Sequence, residues 1–383
     1  MAFVRWAPPS KTPRNGLHGW LTAALLLANA PGFAQTALPD GAYVPEQPPS
    51  LSAQIYGIVD AGVRHVDQSS AAGSLTQFAS GLNTSRIGFA GSESLGGDLH
   101  AGFRLESGFN PGTGVQSNSA LFDRTAALSL GGKAWDLKLG RQEGFGYEQA
   151  ATGVTDPLHM ALNFPNYSSP AAAGSKAPVL GANPLQALYS YTYGQLRFEN
   201  ALRLSAGGEH WWGGLMYALG GVAGSRSDDT VRGAHFGGKL GPALGEAIFQ
   251  QSLDQSGHRS TLGVVAGTWT LPSLTLQAGF HDLRIDAAFD STGLGNGASS
   301  SGILGNSTTV SPVLATAKEN FRYTVADLGA TWLATDLTPL TLAAYKTSTD
   351  GTGAGHSLTW VALGKYYLSK RTTLYLELSL IHI

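Results

Sequence analysis

Cysteine is absent from all 383 residues, so neither a disulfide framework nor a thiolate metal centre is available. Charge is sparse. Only 13% of residues are Asp, Glu, Lys or Arg, and the formal net charge of -2 argues against a nucleic-acid partner. Long apolar runs are lacking too: hydrophobic residues make up 43% of the chain, yet no run of about 18 follows the N-terminus. That excludes a bundle of membrane-spanning helices. Helical periodicity is almost missing, and with it any glycine loop opening a phosphate-binding helix. Glycine, by contrast, is abundant at 51 residues, which suits tight turns and closely packed strands.

What is present is a period of two. In the stretch from Asp98 to Gly108, Leu99, Ala101, Phe103 and Leu105 alternate with His100, Gly102, Arg104 and Glu106. Trp135, Leu137 and Leu139 alternate in the same way with Asp136, Lys138 and Gly140. Leu274, Leu276, Ala278 and Phe280 alternate with Thr275, Gln277 and Gly279. One face carries aromatics and aliphatics, the other bulky charge and glycine. Repeated along a chain, this suits a barrel with lipid outside and water inside. Fifteen such segments run from Gln54–Val66 to Thr372–Leu378. Their connections alternate between short turns, such as Gly131-Gly132-Lys133 and Pro272-Ser273, and long polar loops, such as 143–196 and 287–320. The expected fold is all-β, an antiparallel up-and-down transmembrane barrel.

The N-terminus reads as an export signal over residues 1–34. Arg5, Lys11 and Arg14 precede a short apolar stretch from Trp20 to Ala28, and Gly32-Phe33-Ala34 offers small residues for cleavage before Gln35. Residues 35–52, with Pro39, Pro45, Pro48 and Pro49, read as a linker. The barrel is expected over residues 53–383.

Several motifs carry a family resemblance. YGIVDAG at Tyr56–Gly62, SRIGFAGSESLGGDLHAGFRLESGF at Ser85–Phe109, LFDR at Leu121–Arg124, LKLGRQ at Leu137–Gln142 and LSKRTTLY at Leu368–Tyr375 stand in consistent order. Together they resemble the trimeric general porins of betaproteobacterial-type Gram-negative outer membranes. The resemblance implies sixteen strands, a homotrimer, passive diffusion of ions and small hydrophilic solutes, and a long third loop folded into the lumen. That loop is expected at 143–196. Family members end in one more hairpin with a terminal aromatic residue, whereas this chain stops at Ile383, so the last strand is expected to be missing. Leu378–Ile383 reads as the translation of a transposon end of the kind used in sequencing libraries, which makes truncation the expected cause.

Resemblance to the anion-selective members assigns Arg86, Arg124 and Arg197 to a basic cluster at the constriction, with Glu106 facing it. Parity agrees for Arg86, which shares a face with Gly88 opposite Ile87 and Phe89, and for Glu106. Arg124 shares parity with Leu128, so its inward placement requires a bulge. Inside the third loop the acids are Glu148 and Asp156, and Lys176 is the base. Trp211 and Trp212, with Tyr217, Trp269, Trp332 and Tyr366, are expected in the aromatic girdle. No catalytic, cofactor-binding or metal-ligating set is expected. His100, His159 and His281 stand at no spacing that places a nucleophile beside a base. The expected partners are outer-membrane lipid and lipopolysaccharide. A substrate-specific channel, a barrel enzyme or an adhesin is the alternative.

Overall fold

The computed structural model describes residues 18–27, 51–66, 75–117, 120–159, 185, 188, 197–290, 319–351 and 354–382. Its strands are β1 (His18–Leu27), β2 (Leu51–Val66), β3 (Leu75–Ala79), β4 (Arg86–Gly96), β5 (Leu99–Gly108), β6 (Thr125–Gly132), β7 (Trp135–Glu143), β8 (Arg197–Gly207) and β9 (Trp211–Ala218). They continue as β10 (Thr230–Leu240), β11 (Ala243–Leu253), β12 (Arg259–Thr270), β13 (Leu274–Ile285), β14 (Phe321–Thr335), β15 (Thr338–Asp350), β16 (Gly355–Ser369) and β17 (Thr372–His382). One helix, α1 (Phe145–Thr152), follows β7.

β2 and β4 to β17 form fifteen consecutive antiparallel up-and-down strands in one sheet. β2 is shared along its length: Leu51–Ile58 pairs with β4, and Gly62–Val66 pairs with the short β3. The ring closes through β1, which pairs with β17 on one side and β2 on the other. The segment read as the apolar stretch of an export signal therefore lies in a strand. Trp20 to Leu27 contains neither charge nor proline, so it can extend, and in this position it satisfies backbone groups of two strands otherwise exposed to lipid.

The alternation read from sequence sets the outer wall. Phe103, Leu128, Leu139, Leu276 and Phe280 are exposed on the outside of the barrel, and Glu106, Asp136 and Gln277 are buried inside it. Tyr217, Trp269, Trp332 and Tyr366 lie outward as the girdle requires, but Trp212 does not. Adjacent tryptophans point to opposite faces of a strand, so Trp211 takes the outer face and Trp212 is buried.

The inner wall departs from a uniformly polar lining. Ile248, Val264, Leu283, Val325, Tyr345 and Val361 point inward, where they are buried. They belong to one apolar cluster with Phe145, Leu158, Leu185 and Leu188 of the long connection between β7 and β8. That connection turns into the barrel, so an apolar sector of the wall gains a dry partner, each large side chain contributing about 1.5–3 kcal/mol. The core of this molecule is inside its lumen. α1 is one short helix in an otherwise all-β set of described residues. It starts after Gly144 and stops at Gly153, whose left-handed φ of 84° closes the last turn with N–H bonds to Ala150 and Gln149.

Candidate functional site

Opposite the apolar sector, β2 and β4 to β8 present charge to the lumen. Glu106 of β5 is at its centre, almost fully buried. Arg124 Nε donates to it at 2.6 Å, Arg104 Nη2 at 3.0 Å, and Arg86 Nε stands at 3.5 Å. The register explains the convergence. Gly88 lies opposite Glu106, and Arg86 and Arg104 flank this pair diagonally across β4 and β5. Tyr56 of β2 completes the group: its hydroxyl donates to Glu106 at 3.0 Å and accepts from Arg104 Nε at 2.7 Å. The Tyr56 ring lies over Gly88, where an added Cβ would collide with it, so glycine is required there.

Arg124 reaches inward without a bulge. It precedes Thr125, the first residue of β6, and strand parity does not extend to a loop residue. Leu128 keeps its outward place. Arg197 is turned inward by a real irregularity. The β7–β8 ladder slips between Gly140 and Gln142, and Asn200 takes a left-handed φ of 50°. Arg197 then donates to Glu143 at 2.5 Å and stands 5.1 Å from the Tyr147 ring centroid. Glu143 also lies 3.8 Å from Arg124 and so links the two arginines.

The cluster thus holds four guanidiniums, Arg86, Arg104, Arg124 and Arg197, against two carboxylates, Glu106 and Glu143. Two positive charges remain uncompensated within it. Arg104 is the most open of the four, with nearly half its side chain exposed.

The two loop acids do different work. Glu148 of α1 pairs with Arg203 of β8, whose guanidinium stacks 4.5 Å from the Phe145 ring. The other side of Phe145 meets the His235 ring at 4.2 Å. Burial raises the Glu148 pKa, but Arg203 and Lys138 outweigh it and hold this carboxyl below the usual carboxylate range. Asp156 is fully buried; it accepts the Tyr345 hydroxyl at 2.6 Å and the Leu158 N–H at 3.0 Å. It docks the loop onto β15 and presents no charge to water, unlike the constriction acid expected from sequence. Lys176 lies outside the described residues, as does most of 160–196.

Reading the sequence alone does not group Glu143, Tyr56, Tyr147 and Arg203 with this site. Tyr56 and Arg203 have inward parity, which is the available signal; Glu143 and Tyr147 sit where β7 runs into α1, where no alternation points the way.

A family model for Gram-negative porins matches residues 21–382. The chain belongs to that family. This porin is 34% identical over 151 residues to outer membrane porin protein 32 of Delftia acidovorans, covering 37% of the chain and 41% of the relative. It is 31% identical over 186 residues to an outer membrane porin protein of Bordetella pertussis, covering 40% and 45%. The chain therefore spans less than half the length of these curated relatives. Among solved structures, the anion-selective porin from Comamonas acidovorans aligns with a TM-score of 0.63 at 15% identity, covering 87% of this chain and 99% of that one. OmpT of Vibrio cholerae aligns with a TM-score of 0.54 at 9% identity, covering 89% and 99%. At such identities the likeness is one of fold. Family and named relatives together place the protein in the outer membrane of a Gram-negative cell.

Proposed function

We propose that this porin forms a water-filled channel through which ions and small hydrophilic solutes pass passively, with anions preferred. The observation that carries the reading is the excess of guanidinium over carboxylate where β4 to β8 face the lumen. In a narrow channel with low-dielectric walls such an excess raises the local anion concentration, and screening is weaker than at an open surface. The working assembly is a homotrimer in lipid and lipopolysaccharide. The test is single-channel recording in a planar bilayer under a salt gradient. The unaltered protein should reverse at an anion-selective potential. Arg86→Ala should shift that potential toward cations at low salt, with the shift shrinking near 1 M, where the Debye length falls to about 3 Å. A wild-type reversal potential for Arg86→Ala would remove this arginine from the selectivity determinants.

A further inference from the structure

Below the guanidinium cluster, toward the short turns, the inner wall of β2 and β4 to β7 changes character. One row of inward positions runs in register as Ser52, Ser92, Gly102, Ser129 and Lys138. The row above it, on the side of Glu106, is Ala90, Arg104, Ala127 and Gly140. Across β4 to β7 nothing in the two rows except Arg104 and Lys138 is bulkier than serine. The result is a shelf in the lumen wall, floored by hydroxyls. Ser52 and Ser92 share a hydrogen bond at 2.8 Å. Gly102 leaves the Ser129 hydroxyl uncovered, since a Cβ added there would stand 2.9 Å from its Oγ.

The charges around the shelf are unequal. Arg104 binds Tyr56 through Nε and Glu106 through Nη2, and its Nη1 takes part in neither bond. Because Glu106 is shared with Arg86 and Arg124, it does not cancel the charge of Arg104. The bases at the far end are matched. Lys138 stands 3.6 Å from Asp136, and Arg203, opposite Lys138 on β8, pairs with Glu148. Asp136 is 7% exposed, and among the described residues its Oδ1 has no hydrogen-bond partner. From Arg104 toward the turns the shelf therefore offers a guanidinium edge, then hydroxyls that donate and accept, then a carboxylate oxygen that accepts only. About 7 Å, two residues of strand, separates Arg104 from the serine row.

We propose that this shelf is a binding subsite for sugar acids, solutes with one carboxylate and several hydroxyls, with the carboxylate on Arg104 and the hydroxyls on Ser92, Ser129 and Asp136. A dicarboxylate is the competing occupant. Asp136 disfavours it, because a second carboxylate placed beyond the serines would meet a like charge whose own counter-ion, Lys138, is already engaged. The subsite rests on the channel reading, since its ligand enters through the lumen. It asks more than anion preference, however: all small anions feel the same field, and only the hydroxyl floor tells them apart.

The test uses the full chain in detergent micelles, with glucuronate, acetate, succinate and glucose titrated as probes and binding read by saturation-transfer NMR. The reversal potential is recorded alongside in planar bilayers. Glucuronate should bind most tightly, ahead of acetate and succinate, and glucose should not bind. Arg104→Gln should weaken glucuronate about tenfold or more, since it removes a charge-assisted bond. Ser92→Ala/Ser129→Ala changes no charge and empties no packed core. It should weaken glucuronate by about tenfold and leave acetate where it was. Equal affinities for glucuronate, acetate and succinate overturn the subsite, as does unaltered glucuronate affinity in the serine variant. An anion-selective reversal potential without glucuronate preference removes the subsite and leaves the channel reading standing. Glucuronate preference with a reversal potential that favours cations does the opposite.

Discussion

Glu106 and Glu143 carry the same charge in one cluster, yet their removal should have opposite consequences. Glu106 is buried among three guanidiniums, and losing it leaves those charges facing one another in a low dielectric. Glu106→Gln is expected to destabilise the barrel by about 3–5 kcal/mol, as removal of one partner from a buried ion pair does. Glu143 is a quarter exposed, and its arginines have other contacts: Arg124 with Glu106, Arg197 with the Tyr147 ring. Glu143→Gln keeps an acceptor oxygen for the buried Arg197, so it should cost less stability than Glu106→Gln and move the reversal potential further toward anions. Denaturant titration of both proteins in lipid vesicles, with bilayer recording of the second, separates the two outcomes. Single residues on regular strands are the most legible part of this site. For Arg86 and Glu106, strand parity agrees with the placement that the resemblance implies, whereas Arg197 depends on a slip near Asn200 that no residue pattern announces. Arg124 is legible only through the LFDR resemblance, because loop residues have no parity.

Strands are legible because two contrasting solvents act on their two faces. On β7, Leu139 faces lipid and Lys138 the lumen, so Leu139→Arg should cost about 2–4 kcal/mol near the bilayer midplane while Lys138→Ala changes stability little. Equal costs in reversible vesicle folding would refute the register. The same logic fails for β12 to β17 on the inside, where Leu262, Leu283, Val325 and Tyr345 meet a folded-in loop rather than water. A polar-inward rule cannot anticipate a second layer of protein. α1 escapes the sequence pattern for a related reason: eight residues with little amphipathic character hold their place through Phe145, between Arg203 and His235, and through Glu148. This gives the helix a pH dependence. The folded-state pKa of Glu148 lies below its unfolded value of about 4.3, so its ion pair contributes fully above that value and is lost as pH falls through the folded pKa. Amide hydrogen exchange in α1 should quicken below about pH 4.3 in the unaltered protein. In Glu148→Gln it should be quick already at neutral pH and independent of acid. The fully buried Asp156–Tyr345 contact anchors the loop separately, so the rest of the connection should stay docked in that variant.

At the scale of the whole molecule, closure is the property that composition and parity could not supply. A barrel spans lipid only if every strand edge is paired, because an open edge leaves N–H and C=O groups with no partner in hydrocarbon. Here the seam lies between β17 and β2, and β1 fills it: Leu25↔Leu374 through His18↔Ile381 on one side, Leu27↔Val59 through Trp20↔Val66 on the other. The same ten residues lie within what reads as the export signal, so one segment is given two roles that exclude each other once the signal is cut. The two roles make a sharp test. Residues 35–383, refolded into lipid vesicles, lack β1 and must either leave two edges open or draw β17 against β2 in a ring of fifteen. We expect the first outcome, because β2 already pairs along its opposite edge with β3 and β4, and its tilt is fixed by them. The shortened polypeptide should then show low folding yield, no heat-dependent mobility shift and rapid chymotryptic cleavage within β17, at Tyr375 and the leucines beside it. Adding a peptide of residues 18–27 during refolding should raise the yield. Equal yields from residues 1–383 and 35–383, without the peptide, would mean that fifteen strands close on themselves and that β1 is dispensable to the wall.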